Sequence, residues 1–132
     1  MKRKILFLCT GNSCRSQMAE GFAKKRGWDA YSAGTHPELN VSKIAIKVMD
    51  EIGLEIHNNI PKSLDYYSNQ QFNIVASVCD NAKQSCPVFI GNADLIIHQS
   101  FEDPANAKGT EDKILSEFRN VRDLIKVWVD SL

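Results

Sequence analysis

Residues 9–15 decide the organisation of this chain, because a thiol and an arginine there enclose five small or polar residues. The stretch follows the apolar run 5–8 and precedes a helical pattern that begins at Ser16. A loop between a strand and a helix can turn its backbone N–H groups inward, toward the positive end of the helix. An arginine can bind two oxygens of one anion. The stretch predicts an oxyanion site made by Thr10, Gly11, Asn12, Ser13, Cys14 and Arg15.

Cys9 is the expected nucleophile of this loop. The loop amides, the helix terminus and the loop arginine all favour the thiolate, which is the form that attacks. Ser16 can donate its hydroxyl to the sulfur or to a substrate oxygen. Gly11 and Asn12 are residue types that tolerate the left-handed backbone angles that inward-facing N–H groups require. We expect Cys14 to pack inside the protein.

Predicted strands and helices alternate along the chain. Because this alternation is typical of an α/β domain, we expect residues 1–132 to form one domain with a mainly parallel sheet. The carboxyl ends of parallel strands meet at one edge, and Cys9, Cys79 and Asp103 lie at or just beyond such ends. The expected strands are 4–9, 28–33, 72–78 and 93–98, and the expected helices are 16–26, one containing Ile44 to Ile52, a short one at 64–67, and 111–129.

Composition excludes several function classes. The 132 residues carry a formal net charge of zero, so no nucleic acid or anionic membrane is expected as a partner. No apolar stretch approaches the length that spans a membrane. Four cysteines without an export signal indicate the reducing cytoplasm. Their spacings, Cys9-x4-Cys14 and Cys79-x6-Cys86, are not those of a zinc site, so we expect no metal. We also expect no cofactor and a monomer.

Residues 9–21, CTGNSCRSQMAEG, resemble the signature of the low-molecular-weight tyrosine phosphatase superfamily, and specifically of its arsenate reductase branch. The resemblance implies a four-stranded parallel sheet flanked by helices. It also implies the reduction of arsenate to arsenite with electrons from thiols, phosphate and sulfate as competing oxyanions, and a weak phosphatase side activity. It continues through 31–34, Val78-Cys79-Asp80, Cys86-Pro87, Phe101-Glu102-Asp103-Pro104 and the carboxyl-terminal helix.

The resemblance also implies a relay of three thiols. Cys9 attacks arsenate while Asp103 protonates the leaving oxygen, with Glu102 as a weaker competitor for the role of acid. Cys79 then attacks the Cys9 sulfur and expels arsenite, and Cys86 attacks Cys79 to release Cys9. Thioredoxin is the expected reductant of the last disulfide.

Two alternatives remain open at this point. One is a small phosphatase that keeps two extra cysteines, and the other is a non-catalytic redox or anion sensor. Relatives that act on phosphotyrosine are expected to carry tyrosine after Asp-Pro, whereas this chain has Ala105-Asn106-Ala107 there. A sensor need not keep a general acid. Because one thiol cannot pass two electrons alone, the pair Cys79 and Cys86 favours the reductase.

Two further expectations concern individual segments. If 79–86 were a regular helix, its thiols would lie about 10.5 Å apart along the axis. Disulfide partners need Cα atoms within roughly 7 Å, so segment 79–90 is expected to change shape during the cycle. Some members of the family bind potassium beside the loop through residues that include a threonine and an aspartate, where this chain has Ile60-Pro61-Lys62. We expect no potassium dependence and the Lys62 ammonium in place of the ion.

Overall fold

Four parallel strands form one sheet in the computed structural model, which describes residues 3–79 and 91–132. The central strand β1 lies between β2 and β3, so the chain leaves the middle of the sheet at Cys9. The predicted four-stranded parallel fold is confirmed, with strand bounds within one residue of those expected. The strands are β1 (Lys4–Cys9), β2 (Asp29–Gly34), β3 (Gln71–Ser77) and β4 (Asn92–His98), in the order β2-β1-β3-β4.

Helix ends follow the capping residues of the sequence. The Ser42 hydroxyl accepts a hydrogen bond from the backbone N–H of Ala45 at 3.3 Å and begins the second helix. Gly27 (φ 95°) and Gly53 (φ 78°) follow the ends of the first two helices in left-handed conformations. No helix among the described residues is long and apolar enough to cross a membrane. The helices are α1 (Arg15–Lys25), α2 (Lys43–Asp50) and α3 (Glu111–Asp130), with 3-10 turns at Leu64–Tyr67 and Pro104–Asn106.

The main core lies on the face of the sheet that α1 and α3 cover. Trp128 of α3 makes edge contacts with the rings of Phe7 and Phe101, at centroid distances of 6.0 Å and 5.6 Å. Since Phe7 belongs to β1 and Phe101 follows β4, α3 holds the central strand and the loop after β4 in fixed relation. This packing positions the loop that carries Asp103 against the loop that carries Cys9.

Candidate active site

The Cys9 sulfur lies at the centre of loop 9–15. The backbone N–H of Asn12 donates to it at 3.3 Å, and the Ser16 hydroxyl lies 2.9 Å from it. That hydroxyl already accepts a hydrogen bond from the Asn12 side-chain amide at 2.8 Å, so its own proton is directed to the sulfur. The sulfur therefore accepts two hydrogen bonds, an arrangement that suits a thiolate.

Four carbonyls of the loop point away from its centre. In a trans peptide unit C=O and N–H point in opposite directions, so the amides of residues 11–14 point inward. The inward Asn12 amide at the Cys9 sulfur agrees with this orientation. The acceptors and donors are Thr10 O from His36 N (2.9 Å), Gly11 O from Glu38 N (2.9 Å), Ser13 O from Ser42 N (2.8 Å) and Asn12 O from Gln17 Nε2 (3.1 Å).

Only one of the two residues expected to adopt a left-handed conformation does so. Asn12 has φ of 50°, whereas Gly11 does not have a positive φ. The requirement at Gly11 is space, because a Cβ there would lie 3.2 Å from Cγ of Glu38. Asn12 is fully buried, and its side-chain oxygen accepts from the backbone N–H of Lys62 at 2.9 Å. Its conformation is thus held from a segment fifty residues away.

Arg15 is buried and oriented by the loop that follows β4. Its Nη1 donates to the carbonyl of Phe101 at 3.0 Å, and its Nη2 lies 3.5 Å from Oδ2 of Asp103. The other carboxylate oxygen of Asp103 accepts from the backbone N–H of Ala105 at 3.0 Å. Glu102, the weaker competitor for the acid role, lines a neighbouring groove and does not line the cavity above Cys9.

A cavity of about 470 Å³ opens above the sulfur. None of the described residues that line it is phenylalanine, tyrosine or tryptophan, so its walls carry no large aromatic ring to flank an aryl group. The loop between β2 and α2 forms one wall, which sequence patterns did not indicate, since the contacts that place it are made by backbone groups. The lining residues are those of the loop (Cys9, Thr10, Gly11, Ser13, Cys14, Arg15) together with His36, Glu38, Ser42, Asp103 and Ala105.

The described cysteines differ in state. Cys9 and Cys14 are free thiols. Burial raises the pKa of the Cys14 thiol well above its usual range, and the negative charges of Asp103 and Cys9 raise it further. Cys14 is therefore a neutral, packed thiol. Cys79 is fully buried and disulfide-bonded, while Cys86, its expected partner, lies outside the described residues.

Asn12 and Ser32, which match residues of the potassium site in some family members, bond to protein groups here. Asn12 Oδ1 accepts from the Lys62 backbone, and the Ser32 hydroxyl donates to Glu20 at 2.8 Å. The ammonium of Lys24 lies 2.8 Å from the same carboxylate and supplies positive charge there. Lys62 was expected to substitute for the ion, yet its ammonium lies over the Tyr66 ring, 4.8 Å from the centroid. Potassium independence stays a prediction.

Comparison with known proteins places this geometry in a family. The family model "Low molecular weight phosphotyrosine protein phosphatase" matches residues 4–132. An arsenate reductase of Halalkalibacterium halodurans is 43% identical over 127 residues, which cover 94% of this chain and 90% of that protein. The chain belongs to the arsenate reductase branch of this family.

Other members of the family agree in sequence and in fold. An arsenate reductase of Staphylococcus aureus is 39% identical over 132 residues, covering 98% of this chain and 95% of that protein. A solved arsenate reductase in the phosphate binding state superposes with a TM-score of 0.82 at 30% identity, and covers 98% of this chain and 95% of its own. An oxidised arsenate reductase gives a TM-score of 0.81 at 29% identity over the same shares. The predicted superfamily is confirmed.

Proposed function

We propose that the protein reduces arsenate to arsenite by a relay of Cys9, Cys79 and Cys86, with thioredoxin as the final reductant. The observation that carries the proposal is that the strand leading to Cys79 is the sheet neighbour of the strand that ends at Cys9. Leu8 is paired with Ser77 in the sheet, and the backbone N–H of Val78 donates to Leu8 O at 2.8 Å. By this register Val78 lies opposite Cys9 and Cys79 is one residue beyond it, so the two cysteines lie at the ends of neighbouring strands about 4.8 Å apart. A phosphatase has no use for a second thiol there.

The first step uses the free thiolate of Cys9. The inward amides and Arg15 hold arsenate in the cavity, and the Cys9 sulfur bonds to arsenic. One arsenate oxygen leaves as water, with a proton supplied by Asp103. Ala105 and the absence of phenylalanine, tyrosine and tryptophan among the described lining residues favour a small inorganic oxyanion over an aryl ester. Phosphate and sulfate have the same tetrahedral shape and compete for the site.

The second step transfers two electrons to arsenic. The Cys79 thiolate attacks the Cys9 sulfur, the S–As bond breaks, and its electron pair stays on arsenic, which leaves as arsenite. Cys86 then attacks the Cys79 sulfur and releases the Cys9 thiolate. A dithiol protein of the thioredoxin kind reduces the Cys79–Cys86 disulfide and is itself oxidised. The disulfide-bonded state of Cys79 in the structure supports this assignment.

The proposal includes the surroundings of the reaction. Regeneration by a dithiol protein requires a reducing compartment, so we assign the enzyme to the cytoplasm. We propose that it acts as a monomer. Hydrolysis of phosphate esters at the same loop would be a weak side activity. This activity needs Cys9, Arg15 and Asp103 and does not need Cys79 or Cys86.

The test compares wild type with Cys79→Ser and Cys86→Ser, each supplied with arsenate and thioredoxin. Both variants should lose multiple turnover, and mass spectrometry of Cys86→Ser should detect a Cys9–Cys79 disulfide. Both should hydrolyse an aryl phosphate at the wild-type rate, which controls for an intact loop. Wild-type arsenate turnover in either variant would contradict the relay. An aryl phosphatase without arsenate turnover in the wild type would favour the phosphatase.

A further inference from the structure

A chain of three polar side chains crosses the carboxyl ends of β3 and β4, outside the oxyanion cavity. The Ser77 hydroxyl lies 2.7 Å from Nδ1 of His98, and Nε2 of His98 lies 2.9 Å from the Ser100 hydroxyl. Ser77 and His98 are direct partners in the sheet, and the backbone N–H of Gln99 donates to Ser77 O at 3.0 Å. We call Ser77, His98 and Ser100 the serine–histidine clasp.

The clasp fixes the imidazole in either protonation state. A hydroxyl can donate or accept, so each serine can satisfy a ring nitrogen with or without its proton. Both ring nitrogens of His98 are engaged, although the side chain is exposed to water. Holding an exposed side chain in one orientation costs rotamer entropy and adds nothing to the core. The arrangement indicates a role in holding the strand ends.

One end of the serine–histidine clasp lies close in sequence to Cys79, and the other lies close to the hydrogen-bond partner of Arg15. Ser77 lies two residues before Cys79, and the intervening Val78 is bonded to β1 through Leu8 O. The end of β3 is therefore hydrogen-bonded to β1 on one side and to β4 on the other, up to the residue before Cys79. Ser100 directly precedes Phe101, whose carbonyl accepts from Arg15 at 3.0 Å.

We propose that His98 is a positioning residue that aligns Cys79 for its attack on the Cys9 sulfur. This rests on the proposed function. In that step the S–S bond forms, the S–As bond breaks and its electron pair stays on arsenic. Attack on sulfur requires an in-line approach, and a displacement of about 1 Å can lower such a rate by roughly 100-fold. His98 holds Ser77, and thereby fixes the backbone from which Cys79 extends.

The test compares His98→Leu, which removes both hydrogen bonds, with His98→Asn, whose amide can still reach Ser77. Ser77→Ala removes a single hydroxyl, and His57→Leu at an exposed turn is the matched control. Two readouts are taken: aryl phosphate hydrolysis, which needs only the oxyanion loop and Asp103, and the rate of Cys9–Cys79 disulfide formation after mixing with arsenate. Thermal unfolding of each variant verifies that it is folded.

We expect His98→Leu and Ser77→Ala to slow disulfide formation by roughly five- to tenfold, the effect of losing one or two hydrogen bonds. Their aryl phosphate hydrolysis should stay within about twofold of His57→Leu. His98→Asn should recover most of the disulfide rate. Disulfide formation at the control rate in both variants, or an equal fall of both activities, would overturn the proposal. Failure of wild type to form the disulfide with arsenate would instead overturn the proposed function.

Discussion

Gly34→Ala should abolish most of the activity although the residue touches no substrate. A Cβ at Gly34 would lie 3.0 Å from the carbonyl oxygen of Cys9 and still closer to that of Thr10, both of them backbone atoms. The Thr10 carbonyl would have to retreat by about 1 Å to reach ordinary contact distance. Its hydrogen bond from His36 N orients the first inward amide of the loop, so the oxyanion site moves with it. A displacement of this size at a reacting centre costs roughly 100-fold in rate.

Gly27→Ala is the matched control for this substitution. Gly27 has φ of 95°, and a Cβ there would meet nothing within 4 Å, so the change introduces backbone strain without moving the loop. Each variant should lose about 1–2 kcal/mol of unfolding free energy, Gly27→Ala from a left-handed alanine and Gly34→Ala from overpacking. Arsenate turnover and phosphate affinity by calorimetry, measured beside urea unfolding, separate the effects. Arsenate turnover of Gly34→Ala within threefold of that of Gly27→Ala would refute the reasoning.

Two further predictions concern carboxylates. Asp103→Asn should lower arsenate and aryl phosphate turnover by about 10²–10⁴-fold, which is the usual contribution of a general acid. Glu102→Gln should change both rates by less than about threefold. Equal losses in the two variants would contradict the assignment of Asp103 as the acid. Hydrogen bonds from Arg119, and then from Arg122, lower the pKa of Glu51 from 4.5 to about 2. This folded-state pKa lies below the unfolded one, so Glu51 stabilises the protein above about pH 4.5 and the contribution disappears as the pH falls toward 2. Urea midpoints of Glu51→Gln should lie below wild type at pH 7, by a difference that is smaller at pH 3 and vanishes only near pH 2. A difference that did not shrink would contradict this origin.

Local patterns predicted most of the fold. The apolar run 5–8 indicated the strand at 4–9, and helical spacing from Ile44 to Ile52 indicated α2. Each of these features is encoded within a few neighbouring residues. Strand bounds shifted by one residue because pairing with a neighbouring strand, and not local composition, ends a strand.

The contacts that hold the candidate site in place could not be predicted from local patterns. Backbone N–H groups of His36 and Lys62 hold the loop, and any residue other than proline could supply them. Gly11 is a small residue for reasons of space, which its residue type alone does not distinguish from a need for positive φ. The sequence suggested a role for the charged side chain of Lys62, but Lys62 contacts Asn12 through its backbone N–H. The predicted pairing with Cys86 lies outside the described residues.

The outward carbonyls of the loop affect how the protein loses oxyanion binding on heating. Their donors come from the chain after β2 and from α1, and Asn12 is held from residue 62. The loop cannot open alone, because any change in its conformation breaks hydrogen bonds to other parts of the fold. The amide hydrogens of His36, Glu38 and Ser42, which donate to the loop carbonyls, should therefore exchange with solvent only when the whole chain unfolds. Loss of oxyanion binding on heating would then report global unfolding, and the catalytic loop would have the same thermal limit as the sheet beneath it.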